Sequence, residues 1–335
     1  MQLKKVIFML NKLRTDLQTR GNFVPLSEEV HAAKLGYYYL LFGTDISKLN
    51  KLIREYDEQG IPLNAAYIDV EAGKSHYYPI SIGQVGLSIF HQYLNTGSRE
   101  NRAHFLRIAD WFMQNRTENS KLGTFWLTEI PKPEYKVTKP WKSAFTQSRA
   151  LSILLRAWQE TGDDRYLQTA TSALMVFTLD ISEGGVAIRR PHAEIFYEEY
   201  VAEYPTRVLD GHFFSLFGLY DYMRAVPSEL SPESHALASA LFNDGVQGLI
   251  EALPKYDLGY WVLFNRCEVP GYPEFDPCTI NYLQLVIQQL QVLSKITNES
   301  IFDVYKEKFN NYLSWSNILR MYQSKFKALK NLNRI

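Results

Sequence analysis

The sequence predicts a mainly α fold in which helical hairpins stack into an α/α toroid or an incomplete barrel, with short β-strands confined to the loops. Three observations lead there. Apolar residues recur at helical spacing along most of the 335 residues. Each helical run meets a second one across a short turn of Gly, Thr, Asp, Ser or Asn, residues that close one helix and cap the next. The unit can be followed five times in order, with turns spaced by roughly 55 to 70 residues, which is the signature of repeated supersecondary units.

Taken from the N-terminus, MQLKKVIFMLNKLRTDL reads as an amphipathic helix. The first hairpin is LGYYYLLFGTDISKLNKLIREY, turning at Gly43. The second, GQVGLSIFHQYLNTGSRENRAHFLRIADWFMQN, turns at Gly97, and the third, RALSILLRAWQETGDDRYLQTATSALMVF, turns at Gly162. The fourth runs from Gly211 to Leu253 with its turn at Val226, and the fifth from Ile280 to Leu313 with its turn at Thr297. Between them lie long intervals at 121–141, 180–210 and 254–278, rich in aromatics, Pro and Gly. Such loops suit one mouth of a toroid, and function is to be sought there. Short strands are expected in GTFWLTEI and GGVAIRR. No low-complexity linker divides the chain, so a single domain over 1–335 is expected: N-terminal helices over 1–59, the helical domain proper over 60–290 and C-terminal helices over 291–335.

A hydrophobic content of 46% excludes a disordered chain. Thirty-six basic residues cancel thirty-six acidic ones, so no global field draws the protein to nucleic acid or to an anionic membrane surface. Any grip on an anion must be local. Cys267 and Cys278 are the only cysteines, too few for a disulfide framework and wrongly spaced for a CxxC site. The seven histidines are scattered, and neither GxGxxG nor GxxxxGK[ST] occurs, so no metal and no cofactor is expected. The N-terminal apolar stretch is too short for a signal-peptide core, and nowhere do eighteen apolar residues run together. A cytoplasmic chain with no membrane span is the expectation. The aromatic share of 14% fits core packing and sugar-stacking clefts equally.

Several segments resemble the C-terminal helical domain of the D-glucuronyl C5-epimerases, which convert glucuronate to iduronate in heparan-type chains. Gly60-Ile-Pro-Leu63 is followed by His76-Tyr-Tyr-Pro-Ile-Ser-Ile-Gly-Gln-Val-Gly-Leu87, similar to the family's YPI-x-I-x-Q-x-GLS. Trp141-Lys-Ser-Ala-Phe-Thr-Gln-Ser-Arg-Ala-Leu-Ser152 resembles W-x-SAM-x-Q-x-x-A-x-S. Phe196-Tyr-Glu-Glu-Tyr200, Val208-Leu-Asp-Gly211, Leu253-Pro-Lys-Tyr-Asp257 and Ile280-Asn-Tyr-Leu-Gln-Leu285 follow in the family's order. The β-rich region of the vertebrate-type enzymes has no counterpart in the pattern, which suggests a compact, bacterial-type member. The implied partner is a uronate-containing polysaccharide or oligosaccharide; a homodimer is left open.

C5 epimerisation removes a proton α to a carboxylate and returns one to the opposite face, so it needs two acid/base groups and a cation or donor on the carboxylate. Carried over from the family, the catalytic Glu-Tyr pair falls on Glu199 and Tyr200, with Gly211 at the matching distance. Two further family tyrosines fall on Phe264 and Phe275, and neither phenylalanine exchanges a proton. Tyr260, Tyr272, Asp276, Tyr204 and His212 are near enough in sequence to substitute, while a lyase reaction or a non-catalytic glycan-binding cleft are the alternatives. Tyr78 and Trp141 are expected to stack on a sugar face, and Gln84 and Gln147 to hydrogen-bond sugar hydroxyls or, equally, backbone. Asp210 and Asn281 are further substrate-binding candidates from the motifs that hold them. Arg266, between two motif segments, is a candidate for the uronate carboxylate, ahead of Arg189 and Arg190.

Overall fold

The computed structural model describes residues 10, 11, 13–15, 17, 18, 23–42, 53–65 and 74–332. Helices dominate. Among the described residues the chain runs through β1 (Ile53–Tyr56), β2 (Pro62–Ala65) and β3 (Ser75–Tyr77), an antiparallel sheet, into α1 (Pro79–Thr96) and α2 (Arg99–Gln114). A hairpin of β4 (Thr117–Asn119) and β5 (Gly123–Phe125) precedes α3 (Ala144–Thr161) and α4 (Asp164–Ser172). A second hairpin, β6 (Ala187–Ile188) with β7 (Phe196–Tyr197), leads to α5 (Leu209–Ala225) and α6 (Pro232–Tyr256). The chain ends in α7 (Ile280–Thr297), α8 (Ser300–Asn311) and α9 (Trp315–Asn331).

Local chemistry sets the hairpins. Gly97 and Gly162 end α1 and α3 at φ of 66° and 73°, a left-handed turn that costs a glycine nothing. The next helix then starts at once: the side chain of Ser98 accepts from the Asn101 amide, and that of Asp163 from the Arg165 amide. Burial separates the two partners of each hairpin. Along α5 nearly every residue from Leu209 to Ala225 is buried, whereas α2 and α4 bury a single stripe. Accordingly α1, α3, α5 and α7 pack side by side as an inner row, and α2, α4, α6 and α8 each back their own hairpin partner. Small residues permit the inner helices to close up. A Cβ on Gly218 of α5 would lie 2.5 Å from Ser148 Cα of α3, and one on Gly83 of α1 would lie 2.6 Å from Arg149 Cβ. The four hairpins expected at Gly97, Gly162, Val226 and Thr297 are thus present, in a toroid-like α-rich fold.

The first expected hairpin is corrected. Residues 35–42 are extended and bent, Ile53–Tyr56 is a strand, and the turn placed at Gly43 lies outside the described residues. The reason is where this apolar run is buried. Segment 23–42 crosses the C-terminal ends of the inner helices, folding back so that Ser27 N–H donates to the Tyr39 carbonyl. It is tied down by Tyr38 N–H to His91 Nε2 (2.8 Å), Leu35 N–H to Gln159 Oε1 (2.7 Å), Tyr39 Oη to Asp221 Oδ1 (2.7 Å) and Val24 N–H to Gln288 Oε1 (3.2 Å). Consecutive Tyr38, Tyr39 and Leu40 are all buried, which an extended chain inserted among helix ends achieves and a surface helix does not. Short apolar runs carry no period that tells the two apart. One end of the toroid is therefore sealed, and the N-terminal ends of the inner helices form the other. No described helix is long and apolar enough to cross a membrane.

Candidate active site

At the unsealed end, a cavity of about 360 Å³ is lined by residues from the starts of the inner helices and from the loop before α5. Tyr78 immediately precedes α1, which supplies Ile80 and Gln84; Phe145 comes from α3, Asp210 and Phe214 from α5, and Asn281, Tyr282 and Leu285 from α7. Glu199 and Tyr200 enter from the loop after β7, and Phe42 closes the floor. Helices α1, α5 and α7 start without a side-chain cap. Their first amides and the positive ends of their dipoles are directed toward this end of the molecule.

Two buried carboxyls dominate the electrostatics. Oε2 of Glu199 and Oδ1 of Asp210 have no hydrogen-bond partner. Their closeness depends on Gly211, where a Cβ would come within 2.5 Å of Glu199 Cβ and 2.8 Å of its Oε2. Burial pushes Glu199 up to about 7, opposed by a hydrogen bond from Tyr200 and by the charge of Lys132. Asp210 is held well above the usual carboxylate range by burial first and by the neighbouring Glu199 charge second, against the pull of Arg149. Two such groups side by side in one dry wall resist ionising together, so each holds its proton to higher pH than an exposed carboxyl would. The adjacent Glu198 is also fully buried, but its carboxylate accepts from Thr206 and Arg207 amides and fastens the loop that carries the pair.

The three long loops meet over this pair, as expected of loops around one mouth. Tyr135 stacks on Tyr200 at 5.0 Å and on Tyr272 at 5.5 Å, and Asn265 donates to the Tyr135 hydroxyl. Lys132 is buried with its Nζ 4.7 Å from the Tyr200 ring centre and 5.8 Å from that of Tyr78. On the far side of the floor, Arg149 of α3 is fully buried, its guanidinium 4.4 Å from the Phe214 ring, 4.8 Å from Phe145, 4.9 Å from Tyr38 and 5.6 Å from Phe42. None of its three nitrogens makes a hydrogen bond of ordinary geometry. It lies behind the cavity as a charge.

Of the residues singled out in the sequence, the cavity brings together Tyr78, Gln84, Glu199, Tyr200, Asp210 and Asn281. Others lie elsewhere. The Gln147 amide is consumed by backbone, accepting from Trp126 N–H and donating to the Thr124 and Ala173 carbonyls, which leaves nothing for a sugar. Trp141 is buried behind the lining, its indole N–H on the Ile130 carbonyl and its ring 5.1 Å from Tyr200. Arg266 pairs with Glu194, away from the cavity, and Arg189 with Asp244. Phe275 is 54% exposed, while Phe264 meets Tyr282 edge-on at 5.1 Å.

The five substitutes considered for the missing tyrosines do not line the cavity either. His212 is stacked on Phe196 with both ring nitrogens on backbone, and burial lowers it to about 4. Tyr272 donates to Asp276, which also holds Lys325 at 2.6 Å. Tyr260 faces Arg320 and Ser324 of α9, and Tyr204 is exposed. Sequence reasoning missed Tyr282 and Lys132. Tyr282 is the variable position of IN-x-LQL, one residue past Asn281, and a search of the motif's variable positions would have found it.

The family described as D-glucuronyl C5-epimerase C-terminus matches residues 121–311. The chain is 31% identical over 230 residues to the D-glucuronyl C5-epimerase of Caenorhabditis elegans, an overlap covering 64% of this chain and 37% of that protein. It is 27% identical over 187 residues to an uncharacterized protein of Methanocaldococcus jannaschii, covering 55% of this chain and 56% of that protein. The chain thus spans between about a third and about half of the length of these relatives. With the cavity, the Glu-Tyr pair and the helical hairpins all inside or beside the matched span, the chain belongs to the D-glucuronyl C5-epimerase C-terminus family.

Proposed function

We propose that this chain binds a hexuronate unit of an anionic glycan in the cavity and removes the proton at C5, as a glucuronate C5-epimerase does. The observation that carries the reading is the pair of buried, unpartnered carboxyl oxygens on Glu199 and Asp210 in the lining. A base near neutral pH must be raised out of the ordinary carboxylate range, and burial does that here. Glu199 takes the C5 proton; the C–H electron pair moves into the adjacent carboxylate as an enediolate, and a proton returns to the other face. Lys132 and the uncapped starts of α1, α5 and α7 are the groups suited to the charge on the uronate carboxylate. Tyr200, stacked on Tyr135 and hydrogen-bonded to Glu199, orients the base.

A polymer needs a path as well as a pocket. Beside the mouth, a groove of about 260 Å³ is lined by Lys136, Lys139 and Lys142, against one acidic residue, Glu203, next to Trp141, Val201 and Ala202. In a chain of zero net charge, such a local basic strip suits the flanking units of a polyanion, and its grip weakens with salt. Incubation with uronate-containing polysaccharides such as heparosan in heavy water tests the proposal. Deuterium at C5, lost in Glu199→Gln, is the expected result. Ultraviolet absorbance from an unsaturated uronate would instead identify a lyase, and binding without exchange a non-catalytic glycan-binding protein.

A further inference from the structure

The C-terminal helix α9 follows the matched span and contributes nothing to the lining of the cavity, yet it grips the loop at 254–278. The Arg320 guanidinium lies 3.7 Å from the Tyr260 ring centre, the Tyr260 hydroxyl is 3.2 Å from Ser324 Oγ, and Lys325 Nζ donates to Asp276 Oδ1 at 2.6 Å. This last ion pair is nearly out of water, with side-chain exposures of 14% and 4%. From Asp276 two routes lead to the cavity. Its other carboxylate oxygen accepts from the Tyr272 hydroxyl at 2.9 Å; the Tyr272 ring stacks on Tyr135, Tyr135 stacks on Tyr200, and Tyr200 hydrogen-bonds Glu199. Its backbone carbonyl accepts from Phe264 N–H at 2.7 Å, and the Phe264 carbonyl accepts at 3.2 Å from the N–H of Leu209, the residue before Asp210. The ion pair thus stands at the head of a route to each of the buried carboxyls.

We propose that Lys325 and Asp276 are positioning residues, their ion pair fastening α9 to the roof of the cavity and so setting Glu199 and Asp210 in place. The inference rests on the proposed C5 chemistry and gives it a support outside the cavity. A buried ion pair is a poor source of stability, because desolvation offsets its attraction, and an apolar pair of similar volume holds a fold as well or better. What the charges add is direction. The Asp276 carboxylate is held from both sides, by Lys325 on one oxygen and by Tyr272 on the other, which selects one orientation of the Tyr272 ring and one register of the aromatic stack. An apolar contact would let both slide. A displacement of about 1 Å at a reacting group costs on the order of 100-fold in rate, so a tie of this kind matters more to catalysis than to folding. Neither residue lines the cavity, and each acts through the groups it holds.

The test is the double variant Asp276→Leu with Lys325→Met in the full chain, which removes both charges together and leaves neither buried alone. Deuterium incorporation at C5 of heparosan in heavy water gives kcat and KM, and urea unfolding gives stability. The expected result is a fall in kcat of about 10- to 100-fold, with KM within about threefold of wild type and an unfolding midpoint unchanged or raised. Tyr272→Phe, which keeps the stack and cuts its tether, is expected to lower kcat as well, and adding it to the double variant should cost nothing further, since the changes act on one route. Wild-type kcat in the double variant overturns the inference and leaves the C5 chemistry standing. So does a fall in kcat that tracks a lowered unfolding midpoint, which marks a merely structural pair, or a rise in KM at constant kcat, which marks a role in binding. Amide hydrogen exchange needs no turnover: residues 132–137 and 198–210 are expected to exchange faster in the double variant, and unchanged protection overturns the tie whether or not the protein is an epimerase. A wild type that exchanges nothing at C5 overturns the C5 chemistry itself, and the positioning role with it.

Discussion

Gly211→Ala separates the geometry of the carboxyl pair from the stability of the fold. The added Cβ would sit 2.5 Å from Glu199 Cβ and 2.8 Å from Oε2, where ordinary carbon contacts are about 3.5 to 4.0 Å. Glu199 must therefore withdraw by about 1 Å. Overpacking of this kind costs about 1–3 kcal/mol, and alanine in place of glycine in a helix returns up to about 1 kcal/mol. The net loss of stability is modest, at most about 3 kcal/mol. The loss of function is not: a misplacement of about 1 Å at a reacting group costs on the order of 100-fold. The control is Gly86→Ala in α1, whose Cβ would meet Ile153 at 2.7 Å and Ile108 at 2.9 Å, inside the core and outside the cavity lining. Urea unfolding and kcat/KM for C5 exchange should show both variants similarly destabilised and only Gly211→Ala depleted in exchange. A Gly211→Ala protein exchanging within about threefold of its parent would refute the idea that this glycine exists to seat Glu199.

Titration offers three further checks. Because the folded protein raises Glu199 from the ordinary carboxylate range to about 7, the stability it adds is complete at pH below the unfolded value and is lost as pH rises through about 7. Urea unfolding of Glu199→Gln across pH 5 to 8 should show a flatter pH dependence than wild type, and equal slopes would count against a buried ionising Glu199. Asp210→Asn removes the like charge beside Glu199, so the acid limb of the exchange rate moves to lower pH. Lys132→Met removes a cation and moves that limb to higher pH; a shift of either limb in the other direction refutes the arrangement.

Much of this was legible in the sequence, for reasons that can be named. Gly97, Gly162 and Asn298 each mark a left-handed stop, and Ser98 and Asp163 each mark a restart, so three of the four hairpins carry the turn chemistry in their sequence, while the one at Val226 has no left-handed stop. The aromatic loops pointed to the mouth, and Glu199 with Tyr200 followed from a motif. What escaped depended on partners far away in sequence. Segment 35–42 is as apolar as a helix, and only the ends of α1, α3 and α5 make it an extended plug. Gln147 and Arg149 are both polar residues on a buried helix, two positions apart. One is saturated by the backbone of β5 and neighbouring chain, and the other lies against aromatic rings, its nitrogens without a hydrogen bond of ordinary geometry. No local pattern distinguishes them. Gln84 and Gln147 looked alike for the same reason, yet only Gln84 lines the cavity.

The charges around the cavity also constrain the order of events. Lys132 lowers Glu199, and Arg149 lowers Asp210, so two cations act on two carboxyls. If both carboxyls were ionised, the empty site would already be neutral, and a uronate carboxylate would enter against no net attraction. With one proton held between Glu199 and Asp210, the site carries one net positive charge, and the incoming uronate makes it neutral. Burial favours the occupied site, because the bound uronate leaves no unbalanced charge in the dry wall. On the proposed C5 chemistry, the uronate is expected to bind best to the singly protonated pair, with catalysis starting from the carboxylate that remains. Above the pH at which the last shared proton leaves, affinity falls before the chemistry does: KM rises with pH while kcat holds. On that reading the pair admits an anion to a base, and the two buried cations make a base of like charge to its substrate tolerable in the same cavity.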